Sequence, residues 1–186
     1  MNFQEYTEEA SKTAFYPAQV NDFRLAYLAL KMNGETGELV EALTEFNLYD
    51  GEKANLTVPK ILKEAGDLLW YTSQAAKLIH YIPKSFGFTD YFSDNKYSIY
   101  NYVDLLENST NSIAEYVGKI YRDEDGFLDT SSYLGILGLM IDRILRALAY
   151  IAKTFDTSLE VIAKMNLEKL TSRMKRGKLG GSGDDR

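Results

Sequence analysis

Two short acidic motifs concentrate the chemical potential of this 186-residue chain. The first is Glu35-x-x-Glu38, inside Gly34-Glu35-Thr36-Gly37-Glu38-Leu39-Val40-Glu41-Ala42-Leu43. The second is Glu64-x-x-Asp67, inside Lys63-Glu64-Ala65-Gly66-Asp67-Leu68-Leu69-Trp70-Tyr71, and 25 residues separate Glu38 from Glu64. On a helix, residues three apart are neighbours, so each motif presents two carboxylates together. Glu35 falls in line with Leu39, Ala42 and Phe46, and Glu64 with Leu68, Tyr71 and Ala75, so both acids lie on faces expected to be buried. Four carboxylates gathered between packed helices repel one another and lose hydration, which raises their pKa values or admits water. A hard divalent cation relieves both costs. Mg²⁺, with Mn²⁺ as a substitute, takes oxygen ligands, keeps waters for substrate phosphates and needs no His or Cys. Either motif alone reads as a solvated helix face; the pair, each beside an apolar stripe, favours a metal site.

The elements that must position these acids are helical. Phe3, Tyr6, Ala10, Thr13 and Ala14 predict a first helix over residues 3–16, stopped by Pro17. A second runs from about Asn21 to Asn47, its apolar face shifting at Gly34 and Gly37, where small residues permit a bend or the close approach of a helix or ligand. A polar turn around Asp50-Gly51-Glu52 precedes a third helix, from Thr57 or Val58 to His80. Pro83, Gly87 and the polar, aromatic run to Asn95 read as a loop. Three further helices are expected at Ser98–Arg122, Thr130–Phe155 and Ser158–Arg176. No alternating stretch calls for a sheet, so the expected fold is an all-α helical bundle with a four-helix core. One domain spans residues 1–176, and the Gly-rich tail, residues 177–186, is expected to be flexible without ligand.

Composition narrows the function classes. The formal net charge is −6, which gives no general electrostatic reason to bind polymeric nucleic acid. Lys164, Lys169, Arg173, Lys175, Arg176 and Lys178 gather near the C-terminus, enough for the phosphates of a small ligand. There is no cysteine and no apolar run of membrane-spanning length. The polar N-terminus is not a secretory signal, and a cytoplasmic location is expected. On the sixth predicted helix, Asn166, Lys169 and Arg173 share one face and could reach phosphate oxygens, or could simply complement the helix dipole. Trp70, the sole tryptophan, could stack on a base or be core. His80 has no second His or Cys at ligand spacing.

The two acidic motifs resemble those of the MazG-like all-α nucleoside triphosphate pyrophosphohydrolases, in particular the short phage and bacterial members. Gly34-Glu35-Thr36-Gly37-Glu38-Leu39 and Gly66-Asp67-Leu68-Leu69-Trp70-Tyr71 carry the likeness. Phe3-Gln4-Glu5-Tyr6, Thr13-Ala14-Phe15-Tyr16-Pro17, Asn166-Leu167-Glu168-Lys169-Leu170, Arg173 and the Gly177-to-Arg186 tail agree with it. It covers residues 1–78 and 143–186 and is silent between them. The resemblance implies hydrolysis of nucleoside triphosphates, (d)NTPs by preference, to the monophosphate and pyrophosphate. Glu35, Glu38, Glu64 and Asp67 would hold two or more Mg²⁺ ions that bridge phosphate oxygens and activate a water. A Glu-x-x-Glu carboxylate, Glu38 before Glu35, would accept the water's proton. Asn166, Lys169, Arg173, Trp70 and Tyr16 would contact substrate, and a homo-oligomer is the default assembly. A dUTPase-like or phosphoribosyl-ATP pyrophosphohydrolase of the same fold, and a non-enzymatic bundle that binds metal or a partner, are the alternatives.

The unmatched region carries a faint internal repeat. At an offset of 75 residues, Asp50-Gly51 falls on Asp125-Gly126, Ile61-Leu62 on Ile136-Leu137 and Asp67 on Asp142. A degenerate helix pair over residues 98–155 would complete the four-helix core within one chain, a role that a partner subunit fills in shorter members. On that alignment Glu35, Glu38 and Glu64 meet Thr110, Ile113 and Leu139, so one active site per chain is expected.

Overall fold

The periodicity resolves into six α-helices, with no strand among the described residues: α1 (Phe3–Ser11), α2 (Arg24–Leu48), α3 (Glu52–Leu78), α4 (Ile99–Asp123), α5 (Leu134–Thr154) and α6 (Leu159–Lys175). The computed structural model describes residues 1–16, 23–48, 51–83, 98–128 and 131–179. Pro17, Asn21, Asp50, Gly87, Asn95, Thr130 and the tail beyond Leu179, on which several of the expectations fall, lie outside the described residues. Among the described residues no helix is long and apolar enough to cross a membrane.

Helix ends follow local chemistry. Ser98 caps α4, and Ser158 caps α6 by accepting from the Val161 N–H, which satisfies a donor the first turn leaves open. At three ends the structure departs from expectation. α1 stops at Ser11 rather than at residue 16, because Thr13 turns its hydroxyl onto the Ala10 carbonyl and closes the last turn. α3 starts at Glu52, about a turn and a half before Thr57, and carries Pro59 inside it. The missing proline N–H removes one hydrogen bond, and the buried Ala54 anchors the added turn. α5 starts at Leu134, four residues later than expected.

Four helices form the core. α2 packs along α3, α4 along α5, and the two pairs meet through α2 against α4 and α3 against α5. α1 and α6 cover the free side of α3. Both α3 and α5 are buried around most of their circumference, as helices central to a packed interior must be. Each fully buried Leu or Ile there contributes about 1.5–3 kcal/mol relative to exposure.

Burial also refines the internal repeat. Leu28, Met32, Glu35, Thr36, Leu39 and Leu43 of α2 reappear as buried Tyr102, Leu106, Ser109, Thr110, Ile113 and Val117 of α4, 74 residues on. Ile61, Glu64, Ala65, Leu68, Leu69, Thr72, Ala75 and Ala76 of α3 reappear as Leu137, Met140, Ile141, Ile144, Leu145, Leu148, Ile151 and Ala152 of α5, 76 residues on. The buried faces thus align at offsets one residue to either side of 75, and one residue turns a helix by about 100°. In the burial register Glu35 corresponds to Ser109, Glu64 to Met140 and Asp67 to Arg143. Asp142 is not the counterpart of Asp67.

Candidate metal centre

The site is made where α2, α3 and α6 converge. Glu35 reaches it from the middle of α2, Glu64 and Asp67 from the middle of α3, and one carboxylate oxygen from each lies within 4.8 Å of the others. Glu35 and Glu64 are only 7% and 3% exposed, so two of the three acids are carried into the interior by the apolar stripes of their own helices. Glu38 is on the exposed side, outside this group of three. It stays close enough for its charge to act on both buried glutamates.

The electrostatics follow from burial. Loss of hydration pushes the Glu35 carboxyl up; its hydrogen bond and charge pairing with Lys31 oppose this, and the charges of Asp67 and Glu38 add to it. Glu64 is pushed up in the same way, against Lys63 and with Asp67 and Glu38. Each acid of the trio meets an ammonium. Lys31 Nζ lies 2.9 Å from Glu35 Oε1, and Lys63 Nζ lies 3.0 Å from Glu64 Oε1. Lys169 of α6 is paired with Asp67 Oδ1.

A chain of hydrogen bonds from outside the four-helix core orients Asp67. Tyr6 of α1, fully buried, donates its hydroxyl to Asn166 Oδ1 at 2.8 Å, and Asn166 Nδ2 donates to Asp67 Oδ1 at 3.1 Å. With its oxygen held by Tyr6, the Asn166 amide must present its NH₂ to the carboxylate, which can only accept. Gly66 makes this approach possible: a Cβ there would lie 3.2 Å from Asn166 Cβ and 3.3 Å from its Nδ2. Gly34 and Gly37 differ, since an added Cβ meets nothing within 4 Å at either. They lie on the exposed side of α2, beside Glu38, and their smallness serves no helix contact.

Two sequence-based assignments change. Asn166 is buried and committed to Tyr6 and Asp67, so it orients a carboxylate and does not reach outward for a phosphate. Trp70 is 8% exposed and gives its indole N–H to the Ala10 carbonyl at 3.3 Å and Thr13 Oγ1 at 3.2 Å. It anchors the end of α1 to α3 and offers no open ring face to a base. Lys169 points into the site, onto Asp67, and Arg173 lies half-buried one turn further along α6. Tyr16, half-buried, packs edge-on against Tyr27 under the Arg24 guanidinium, and burial pushes its hydroxyl up to about 12 against the pull of that cation. Tyr27 in turn is hydrogen-bonded to Tyr71, whose ring lies 5.3 Å from Lys31 Nζ. A tyrosine wall therefore runs from Tyr16 to the edge of the site. Neither it nor the roles of Lys31, Lys63 and Tyr6 was anticipated. The i, i+4 spacing of Lys31 and Glu35 was a legible signal, whereas Tyr6 and Asn166 are separated by 160 residues.

The donor set fits a hard cation. Three carboxylate oxygens match the preferences of Mg²⁺ or Mn²⁺, and an ion taking one oxygen from each keeps half of an octahedral shell for water or phosphate. The corresponding place in the second helix pair cannot do this: Met140 and Arg143 lie against each other, guanidinium to sulfur at 3.9 Å, and Ser109 is fully buried with no hydrogen-bond partner for its hydroxyl.

The Gene 37 protein of Mycobacterium phage L5 is 36% identical to this chain over 87 residues, which make up 46% of this chain and 75% of that protein. The chain belongs to the family of that phage protein. No family model matches the chain, and no solved structure matches it.

Proposed function

We propose that this protein is a MazG-like, Mg²⁺-dependent nucleoside triphosphate pyrophosphohydrolase that acts on a cytoplasmic (d)NTP pool. The observation that carries the reading is the convergence of Glu35, Glu64 and Asp67, from two separate motifs, on one spot within 4.8 Å. Carboxylates buried at a cost in hydration, in a fold that could have placed apolar residues there, are expected where they do chemical work.

Glu35, Glu64 and Asp67 are the residues that would hold the cation. When bound, it would neutralise phosphate charge and make a coordinated water more acidic. Glu38, on the exposed rim beside the trio, is placed to take the proton of the attacking water. Asp67 is kept in position by the Tyr6–Asn166 pair. Gly34 and Gly37 keep the exposed side of α2 beside Glu38 free of side chains, and Lys31, Lys63 and Lys169 supply positive charge for phosphates. The tyrosine wall from Tyr16 to Tyr71 supports this reading as a surface on which a nucleoside could stack. The α4–α5 pair reads as a worn copy of α2–α3 that closes the four-helix core within one chain, which removes one reason for a homo-oligomer and leaves one site per chain.

A non-enzymatic reading draws on the three lysines: ion pairs of this kind could make the acids a static polar cluster. A panel of (d)NTPs and phosphoribosyl-ATP, assayed for pyrophosphate release with and without Mg²⁺, separates these readings. The expected result is Mg²⁺-dependent release from one class of nucleotide, lost in Glu64→Gln and Asp67→Asn. Release that persists in both variants would remove the catalytic assignment, metal binding without turnover would favour a non-enzymatic metal-binding bundle, and neither binding nor turnover would favour the static cluster.

A further inference from the structure

Three ammonium groups sit on the three converging carboxylates: Lys31 on Glu35, Lys63 on Glu64 and Lys169 on Asp67. They come from three helices, one per acid, and each lysine is less exposed than a solvated surface lysine, with side-chain exposures of 37%, 25% and 22%. Lys63 is the immediate neighbour of Glu64, and adjacent residues on a helix point about 100° apart. Its stem must therefore curl back to reach the carboxylate. Counting Glu38, the site holds four negative and three positive side chains.

A divalent cation drawn to these carboxylates competes with ammonium groups that lie 2.9–3.0 Å from an oxygen of Glu35 and of Glu64. The positive charges repel, and each carboxylate that a cation neutralises holds its ammonium partner less tightly. A lysine stem is long and flexible enough to swing its charge to another acceptor. The phosphate oxygens of a polyphosphate bound together with that cation would be such acceptors.

We propose that Lys31, Lys63 and Lys169 are built-in counter-cations that exchange partners: they neutralise the carboxylates until a divalent cation takes those oxygens, and they then pair with the phosphates of a polyphosphate ligand. Metal and polyphosphate consequently bind cooperatively, each freeing the groups the other needs, and the coupling is the same measured from either side. This rests on the metal-site reading above and adds to it the regulation of that site. Metal alone binds weakly, because it must displace the lysines without offering them a new partner.

The test is calorimetric titration of Mn²⁺ into metal-stripped protein, with and without methylenediphosphonate, for wild type, Lys31→Met, Lys63→Met, Lys77→Met and Glu64→Gln. Thermal melts by circular dichroism establish that each variant is folded. In wild type, diphosphonate should tighten Mn²⁺ binding at least about fivefold. Lys31→Met and Lys63→Met should each tighten Mn²⁺ binding alone by about two- to fivefold, and the effect of diphosphonate should shrink. Lys77, in the last turn of α3, serves as the control that leaves both quantities unchanged. Binding that depends on Glu64 but is unchanged or weakened in both lysine variants overturns the exchange and leaves the metal site standing. Binding that is absent in wild type, or equal in wild type and Glu64→Gln, overturns the metal reading and the exchange with it.

Discussion

Removing one oxygen atom in Tyr6→Phe tests whether α1 holds the acidic site in order. Tyr6 is fully buried and its hydroxyl donates to Asn166 Oδ1 at 2.8 Å; Asn166 is itself 3% exposed. The variant keeps the ring and its packing, loses one hydrogen bond and leaves a buried carbonyl oxygen without its donor. A net hydrogen bond contributes about 1 kcal/mol, and an orphaned buried acceptor costs about 1–3 kcal/mol, so the expected loss is about 1–3 kcal/mol. For a domain of this size that lowers the melting temperature by about 2–4 °C per kcal/mol. Denaturant unfolding of Tyr6→Phe, Asn166→Ala and the double variant reads the interaction directly. The two changes should be non-additive by about 0.5–3 kcal/mol, the range for residues in direct contact. Asn166→Ala also frees Asp67 from its Nδ2 donor at 3.1 Å, so both single variants should weaken Mn²⁺ binding. Strict additivity, or a loss of stability with metal affinity untouched, would refute the chain Tyr6–Asn166–Asp67.

Two other expectations follow from the packing and the charges. Gly138→Ala should destabilise more than an ordinary helical Gly→Ala change, which by propensity alone is favourable by about 1 kcal/mol. The new Cβ would clash with the Tyr81 ring and force out the side chain whose hydroxyl donates to Asp142 Oδ2 at 2.7 Å; a raised melting temperature would contradict this. In chelator, stability should fall as pH rises from the ordinary carboxylate range through the raised values of Glu35 and Glu64. The folded chain keeps those protons longer than the unfolded chain, and stability declines wherever the folded state binds more protons. Glu160, held down by the Met1 ammonium and Lys164, and Glu124, held down by Ser131 and Ser132, act in the opposite sense at lower pH. The comparison of wild type with Glu64→Gln isolates the buried pair: the variant should show a shallower decline, and identical profiles would count against a shifted Glu64.

The six-helix architecture and the meeting of the two acidic motifs were legible in the residues. Apolar spacing marked the buried faces of α1, of α3 and of the second half of α2, but not of its first half, where Phe23 and Leu30 are exposed and Leu25, Leu28, Ala29 and Met32 are buried. Ser98 and Ser158 marked two helix starts, and Glu35 and Glu64 stood in line with apolar neighbours. All of these depend on residues within a few turns of one another, where geometry follows directly from sequence separation. Contacts between distant segments were decided only by the tertiary structure. It turned Asn166 inward because Tyr6 and Asp67 flank it, and it buried Trp70 under the end of α1. It left Glu38 at the rim and put a lysine on each of three acids. The comparison of the two helix pairs shows the same boundary: the sequence suggests an offset of 75, whereas the buried side chains align at 74 and 76. A helix that slips by one residue changes little in local propensity, yet it turns every side chain by about 100° and so changes each partner across the core.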